Sequence, residues 1–376
     1  MNVEELNIKK LGFGLMRLPT LPDKSIDIEQ TKNMVDMFMQ AGFTYYDTAW
    51  VYGGGASECA AKAALVDRYP RESFQLATKL FMRDDGKNTV EDAERMLNTS
   101  LERTGAGYFD FYLLHNLTAD RIRAYDEHDM WSFIRRKKKE GILRHIGFSF
   151  HDTAEVLDKF LTDHPEAEFV QLQINYLDWE NESIQSRACY EVARRHNKPI
   201  IIMEPVKGGN LANPPEAITG ILKTANPKAS PSSWAIRFAA SLPGIVTVLS
   251  GMSNIAQMTD NLSYMTDFKP LSDAEQKTIE KVRKAFAAIP TIPCTACGYC
   301  MKDCPQNIAV FDTFRAVNNY RLYANLAASK ERYARATSSE RNKASACIGC
   351  GQCETECPQH IAIREELKAA VKLLEG

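Results

Sequence analysis

Eight of the ten cysteines fall into two copies of one pattern. The copies are Cys294-x-x-Cys297-x-x-Cys300-x-x-x-Cys304-Pro305 and Cys347-x-x-Cys350-x-x-Cys353-x-x-x-Cys357-Pro358. Each tight run can close three corners of an iron–sulfur cubane, and in paired runs the fourth cysteine crosses to the other cube. The spacing therefore predicts one [4Fe-4S] cluster on Cys294, Cys297, Cys300 and Cys357. It predicts a second on Cys347, Cys350, Cys353 and Cys304. Zinc takes four ligands and has no use for a tightly spaced third cysteine followed by a fourth before proline. Disulfides suit small secreted domains, not a chain of 376 residues. Clusters of this kind move or store electrons. Cys59 and Cys189, outside the runs, read as ordinary buried thiols.

A second constellation lies far upstream. Asp47, Tyr52, Lys79 and His115 each stand at or just after the end of a short apolar run. A free phenol has a pKa near 10, about three units too high to donate a proton readily at neutral pH. A neighbouring ammonium favours the phenolate and lowers that pKa. Asp47 can pair with Lys79 and hold it, and His115 can orient a substrate carbonyl. Such a set could protonate a carbonyl oxygen while hydride reaches its carbon.

The elements that must carry these residues alternate. Apolar runs occur at Leu11–Leu18, Phe43–Asp47, Phe74–Lys79, Phe109–His115, Ile142–Ser149, Phe169–Asn175, Pro199–Glu204 and Ile245–Ser250. Between them lie helix-like stretches at Ile28–Ala41, Val90–Thr104, Ala154–Leu161, Ser183–His196 and Ser232–Ser241. Eight β–α pairs predict a closed (β/α)8 TIM barrel, with its chemistry at the carboxyl ends of the strands. The expected domains are a barrel over 1–270, a linker helix over 271–290 and a cluster domain over 291–376. Ser272–Phe286 reads as a helix capped by Ser272 and Asp273. Phe311–Arg335 and Ile363–Leu374 also read as helix, and Thr337–Ser345 as a polar loop. The C-terminal part is thus expected to be a small helix-rich dicluster ferredoxin-like domain.

Composition narrows the setting. The chain is 44% hydrophobic and 25% charged, with net charge −2, so no nucleic-acid partner is indicated. The start, MNVEELNIKK, has no apolar signal core, and no stretch is apolar enough to span a bilayer. A cytoplasmic, reducing setting is the expectation. The basic run Arg135–Lys139 reads as a solvated helix face.

Several segments together resemble the aldo-keto reductase family, in the family's order. They are Leu11-Gly-Phe-Gly-Leu-Met-Arg-Leu-Pro19, Tyr46-Asp-Thr-Ala-Trp-Val-Tyr-Gly53 with Ser57-Glu58, Ala77-Thr-Lys79, Tyr112-Leu-Leu-His115, Gly141–Ser149, and Gly251 onward to Asn261. With the cysteine runs, the chain resembles the iron–sulfur branch of that family. The resemblance implies Tyr52 as general acid, Lys79 and Asp47 as its tuning pair, and His115 as the orienting residue. It places Ser149 and Gln171 on a nicotinamide carboxamide. It places Ser250, Gly251, Ser253, Gln257 and Asn261 along the adenosine and phosphate end, with backbone near Gly14 and Met16 approaching the cofactor. Met203 stands where family members often have an aromatic residue under the nicotinamide. Gly251 and Gln257 replace the Lys and Arg that often grip the NADP 2′-phosphate, which leaves NADH versus NADPH open. Trp50, Phe81, Asn116, His151 and Trp179 are candidate substrate walls.

Two functions fit these residues. One is an oxidoreductase interconverting a carbonyl and an alcohol with a nicotinamide cofactor, its two [4Fe-4S] clusters passing electrons to or from a ferredoxin or flavoprotein partner. The other is a redox-sensing or regulatory nucleotide-binding protein. Nicotinamide moves two electrons together and each cluster moves one. Coupling them calls for a flavin or a radical step, and the sequence carries no flavin signature.

Overall fold

In the computed structural model, residues 6–82, 89–182, 184–302, 304–338 and 341–376 are described. Ser183, the first residue of one expected helix, and part of the Thr337–Ser345 loop lie outside them. Eight strands form a closed barrel in chain order, every neighbouring pair parallel. They are β1 (Leu11–Gly14), β2 (Tyr45–Asp47), β3 (Gln75–Leu80), β4 (Phe109–Leu117), β5 (Leu143–Phe150), β6 (Phe169–Gln173), β7 (Ile200–Met203) and β8 (Ile245–Ser250). The predicted barrel is thus present. The run at Leu11–Leu18 is strand only as far as Gly14, and Leu15–Arg17 turns into a 3₁₀ segment.

Strand alternation sorts the side chains into two cores. Outward residues join the inner faces of the helices in one large apolar layer that includes Phe13, Phe38, Tyr46, Leu114 and Ile202. Inward residues Tyr45, Ala77, Phe111, Leu113, Phe169, Ile201 and Leu249 fill the barrel itself. Phe111 meets Tyr45 and Phe169 with ring centroids 5.0 and 5.2 Å away. Gly147 is glycine because a Cβ there would lie 2.5 Å from the Phe169 carbonyl oxygen. The register couples Asp47 to Ala77, Lys79 to Leu113 and Ser149 to Gln171. Asp47, Lys79, His115, Ser149, Gln171 and Met203 continue the inward-facing rows at the carboxyl ends of their strands.

The helices stop and start where local chemistry predicts. Thr89 and Asp92 form a capping box on Val90–Thr104, which ends at left-handed Gly105. Asp27, Thr153 and Asn254 cap Ile28–Gln40, Ala154–Asp163 and Ile255–Met265. The helix Met130–Lys139 corrects the reading of the basic run, because Lys137 is buried and pairs with Glu94 at 2.6 Å and Glu140 at 3.0 Å.

The chain divides into two compact units, Met1–Gly208 with Ser232–Gln276, and Gly209–Pro231 with Lys277–Gly376. The second is helical. Ile308, Val310, Phe314, Val317, Ile363, Leu367 and Leu374 form its core, with Cys357 buried among them. Phe311–Arg335 is not one helix but two, Val310–Tyr323 and Leu326–Ala336. The break is at Ala324, in the left-handed region at φ 53°, and the Asn325 side chain then caps the next helix at Ala328 N, 3.0 Å. No helix among the described residues is long and apolar enough to cross a membrane.

Candidate active site and cluster sites

The inward register brings Lys79 from β3 onto Asp47 from β2. The Lys79 ammonium donates to Asp47 Oδ1 at 2.5 Å and to the Thr48 carbonyl at 2.6 Å. Both side chains are buried. Gln171 Nε2 donates to the other Asp47 oxygen at 3.1 Å. Burial acts to lower the Lys79 pKa, but the Asp47 charge and the Tyr52 phenol raise it above its ordinary value. Burial raises Asp47, and the Lys79 charge opposes that. The net direction is up for both, which keeps Lys79 a cation at neutral pH.

Tyr52 lies just past β2, its ring centre 4.9 Å from the Lys79 ammonium. His115, from β4, meets that ring edge-on at 5.9 Å, and Phe81 meets His115 at 5.9 Å. The sequence suggested an acidified phenol; here burial wins. Burial raises the Tyr52 pKa, the Lys79 charge pulls it down, the Asp47 charge raises it, and the net direction is up. His115 is driven well below its ordinary value by burial, then by Lys79, His151 and Arg121. It is a neutral imidazole, and its buried Nδ1 has no hydrogen-bond partner among the described residues. His151 is open to solvent at the rim, yet protein crowds its ring from behind. Burial, Arg121 and Lys79 push its pKa down to about 4.

A buried polar strut holds the Tyr52 segment. Gly53, Gly54 and Gly55 all have positive φ. A Cβ on Gly55 would fall 2.4 Å from the Arg103 guanidinium carbon. Arg103 reaches from Val90–Thr104 to the Trp50 carbonyl at 3.3 Å and to the fully buried Glu58 at 3.2 Å. Thr78 Oγ1 donates to the other Glu58 oxygen at 2.7 Å. Ser57 bonds to Thr48 at 2.7 Å and to the Leu15 carbonyl at 2.9 Å. The sequence reading quoted Ser57-Glu58 but gave them no role, and Arg103 carried no signal at all.

The remaining candidates fall into separate groups. Ser149 Oγ accepts from the Asn116 amide at 2.7 Å, with Asn116 at φ 58°. Asn261 Nδ2 donates to Ser250 Oγ at 2.6 Å, and Gln257 Oε1 accepts from Ser253 N at 2.8 Å. Met16 is 60% exposed beside the open backbone of Gly14. Met203 closes β7 opposite Gln173, and Gly251 directly follows β8. Trp50 Nε1 is buried without a hydrogen-bond partner among the described residues. Trp179 packs on Tyr190 and Phe238, at 5.5 and 5.6 Å. Cys189 is buried and its pKa is pushed up to about 12 by burial. Cys59 is a correction: it is exposed, because Ser57, Glu58, Ala60 and Ala61 take the inner face of its helix.

In the second unit the thiols sort across the two runs. Cys294, Cys297, Cys300 and Cys357 line one cavity. Cys304, Cys347, Cys350 and Cys353 line another. These are the crossed sets that the spacing predicts. A donor set of four thiols around a cavity, three from one run and one from the other, fits a cubane.

The parallel barrel thus carries a buried Asp–Lys pair beside a phenol and a neutral imidazole at one end. The chain belongs to the aldo/keto reductase family: that family's model matches residues 10–284. A 4Fe-4S dicluster domain matches residues 293–362. The chain is similar to an aldo-keto reductase of Mycobacterium sp. (strain MCS), 29% identical over 277 residues, covering 73% of this chain and 86% of that one. An uncharacterized oxidoreductase of Bacillus subtilis (strain 168) is 23% identical, with 76% and 95% covered. Among solved structures, the holo form of a Bacillus halodurans aldo-keto reductase superposes with TM-score 0.58 at 23% identity, over 73% of this chain and 92% of that one. An aldo-keto reductase from Klebsiella pneumoniae in complex with NADPH gives 0.59 at 19% identity, over 73% and 91%. At these identities the structural likeness speaks for the fold.

Proposed function

We propose that the protein interconverts a small-molecule carbonyl and its alcohol with a nicotinamide cofactor, and carries two [4Fe-4S] clusters for electron transfer. The barrel over 1–270 would be the catalytic part, 271–290 the linking helix and 291–376 the cluster part. The observation that carries the reading is the Lys79 ammonium, 2.5 Å from Asp47 Oδ1 and 4.9 Å from the centre of the Tyr52 ring. The unpartnered Nδ1 of His115 is a polar atom left for a ligand-filled site.

The nicotinamide, when bound, supplies the hydride. Tyr52 gives its phenolic proton to the carbonyl oxygen. The Lys79 ammonium stabilises the phenolate left behind, and Asp47 keeps that ammonium charged and in place. Neutral His115 holds the carbonyl oxygen by a hydrogen bond. Phe81 and Trp50 supply apolar wall, and His151 contacts substrate at the rim. Ser149 and Gln171 would meet the carboxamide, with Met203 against the ring. Gly14, Met16, Ser250, Gly251, Ser253, Gln257 and Asn261 would line the rest of the cofactor's path. Bound NADPH in the Klebsiella pneumoniae protein supports a nicotinamide. With Gly251 and Gln257 in place of cations, NADH and NADPH are both candidates. The assembled Asp–Lys–Tyr–His set favours an enzyme over a nucleotide-binding sensor, which needs no proton donor.

The test is carbonyl reduction under anaerobic conditions with NADH and NADPH in turn. Tyr52→Phe should lower kcat by roughly 10²–10⁴-fold, the usual worth of a general acid. Unchanged kcat would overturn the assignment.

A further inference from the structure

The cavity ringed by Cys304, Cys347, Cys350 and Cys353 opens beside a surface groove. Cys347, Gly349, Arg364 and Leu367 line the groove, and Cys347, Arg364 and Leu367 also line the cavity. Cys350 is exposed, so one ligand of that centre reaches the surface. Next to it Ile348 is 64% exposed, an apolar side chain with nothing to cover it among the described residues. The helix Ile363–Leu374 presents Arg364, Lys368 and Lys372 one turn apart, all exposed, along the same groove. Two carboxylates also face it. Glu354 is taken by Arg364, at 2.8 Å; Glu365 stands against the two ammoniums, and Glu375 lies at the groove's edge, its carboxylate accepting from the groove-lining Ser345 N at 3.1 Å. The other centre has an exposed cysteine too, Cys297, with Tyr299 and Lys302 beside it and Arg315 over Phe311, but among the described residues no Lys or Arg lines its cavity.

We propose that this groove docks an acidic one-electron carrier protein and that electrons pass through the centre held by Cys304, Cys347, Cys350 and Cys353. The inference rests on the two-cluster reading above. Four thiolates outweigh the positive charge of an iron–sulfur core, so the occupied centre is anionic and would repel an acidic partner. Lys368 and Lys372 offset that charge at the groove and steer the carrier to it. Ile348 gives the encounter an apolar contact beside the exposed Cys350. In each encounter one electron passes between the carrier's metal or flavin centre and this one. What one centre gains the other loses, and no bond forms and no proton moves.

The test titrates full-length, cluster-loaded protein, handled without oxygen, with an acidic [2Fe-2S] ferredoxin as probe. Affinity should fall about tenfold between low salt and ~0.5 M salt, where exposed charges are screened within a few ångströms. The double variant Lys368→Glu/Lys372→Glu should bind about tenfold more weakly at low salt and lose most of that salt dependence. Lys302→Glu should bind as the parent does. Absence of binding, equal affinity in the double variant, loss confined to Lys302→Glu, or a changed cluster potential with unchanged affinity would each overturn the docking site. Iron and sulfide content and reduction by dithionite are measured on the same samples. If clusters are lacking, the reading of the cysteines fails; intact clusters with unaltered affinity refute the docking site alone.

Discussion

The Tyr52 phenol keeps its proton because its buried position outweighs the cation beside it. In the direction of carbonyl reduction the protonated form is the active one. Activity should therefore hold its plateau beyond pH ~10, the range of a free tyrosine, and alcohol oxidation, which needs the phenolate, should climb through the same range. A reduction profile that falls well below that pH would contradict the donor role. Lys79→Met removes the stabilising charge and leaves Asp47 buried and unpaired, so both kcat and stability should drop. Breaking a buried pair in this way costs roughly 3–5 kcal/mol, readable by urea denaturation. His115 and His151 act on stability in the opposite pH range. Their folded pKa values lie below the unfolded one, so the unfolded chain binds protons more readily. Their contribution is fully present above pH ~6.5 and is lost as pH falls, for His151 toward about 4. A His151→Gln variant should lose less stability than the parent between those limits, and equal acid curves would refute it.

Elements matter because Tyr52 sits on a short turn rather than in a strand. Three consecutive left-handed glycines make that turn, and its own backbone bonds and the Arg103–Glu58 contact fix it. Arg103 fills the space against Gly55 and ties the Trp50 carbonyl to Glu58. Arg103→Met keeps much of the stem's packing but takes the counter-charge from the Glu58 carboxylate, leaving it the Thr78 hydroxyl. The expected result is a loss of about 3 kcal/mol in stability, by the same penalty for an orphaned buried charge. Because the variant loosens the turn that carries the acid, kcat should fall more than KM rises. Restoring the cation with Arg103→Lys should recover part of both. If Arg103→Met melted as the parent does, the strut would be idle.

For the molecule as a whole, the proposed cluster assignment has the two cysteine runs exchange their fourth members, which line each other's cavity. Cys304→Ala should empty the centre it shares with Cys347, Cys350 and Cys353 while sparing the other. Cys357→Ala should do the reverse. Each variant should then hold about half the parent's iron and sulfide, since each run supplies a ligand to both cubes. Paramagnetic spectra of the reduced variants should show which centre survives. Were Cys304→Ala to lose the centre of Cys294, Cys297 and Cys300 instead, the crossed assignment would be wrong. Cys357 is also buried in the apolar core of its unit, so its loss should lower that unit's melting temperature more than the loss of Cys304.

Chain chemistry alone pointed to the barrel and to the two sets of four cysteines that each line one cavity. Three cysteines within seven residues meet whatever the rest of the fold does, and eight repeats of an apolar run followed by a helix leave few ways to close a parallel sheet. The same local logic marked helix Ile363–Leu374 to the residue. Tertiary structure decided what distance along the chain conceals. Cys59 faces solvent and Lys137 is buried because neighbouring residues claim the opposite helix face. One long helix became two because Asn325 caps the second from its own side chain. The Thr48 carbonyl that holds Lys79 is backbone and has no residue type to betray it. Glu58 and Arg103 meet across 45 residues, and Asp47 and Gln171 across 124. Such meetings depend on strand register and helix packing, and those set the electrostatics of Tyr52: a residue type announces a possible acid, but only its depth below the surface fixes how tightly the proton is held.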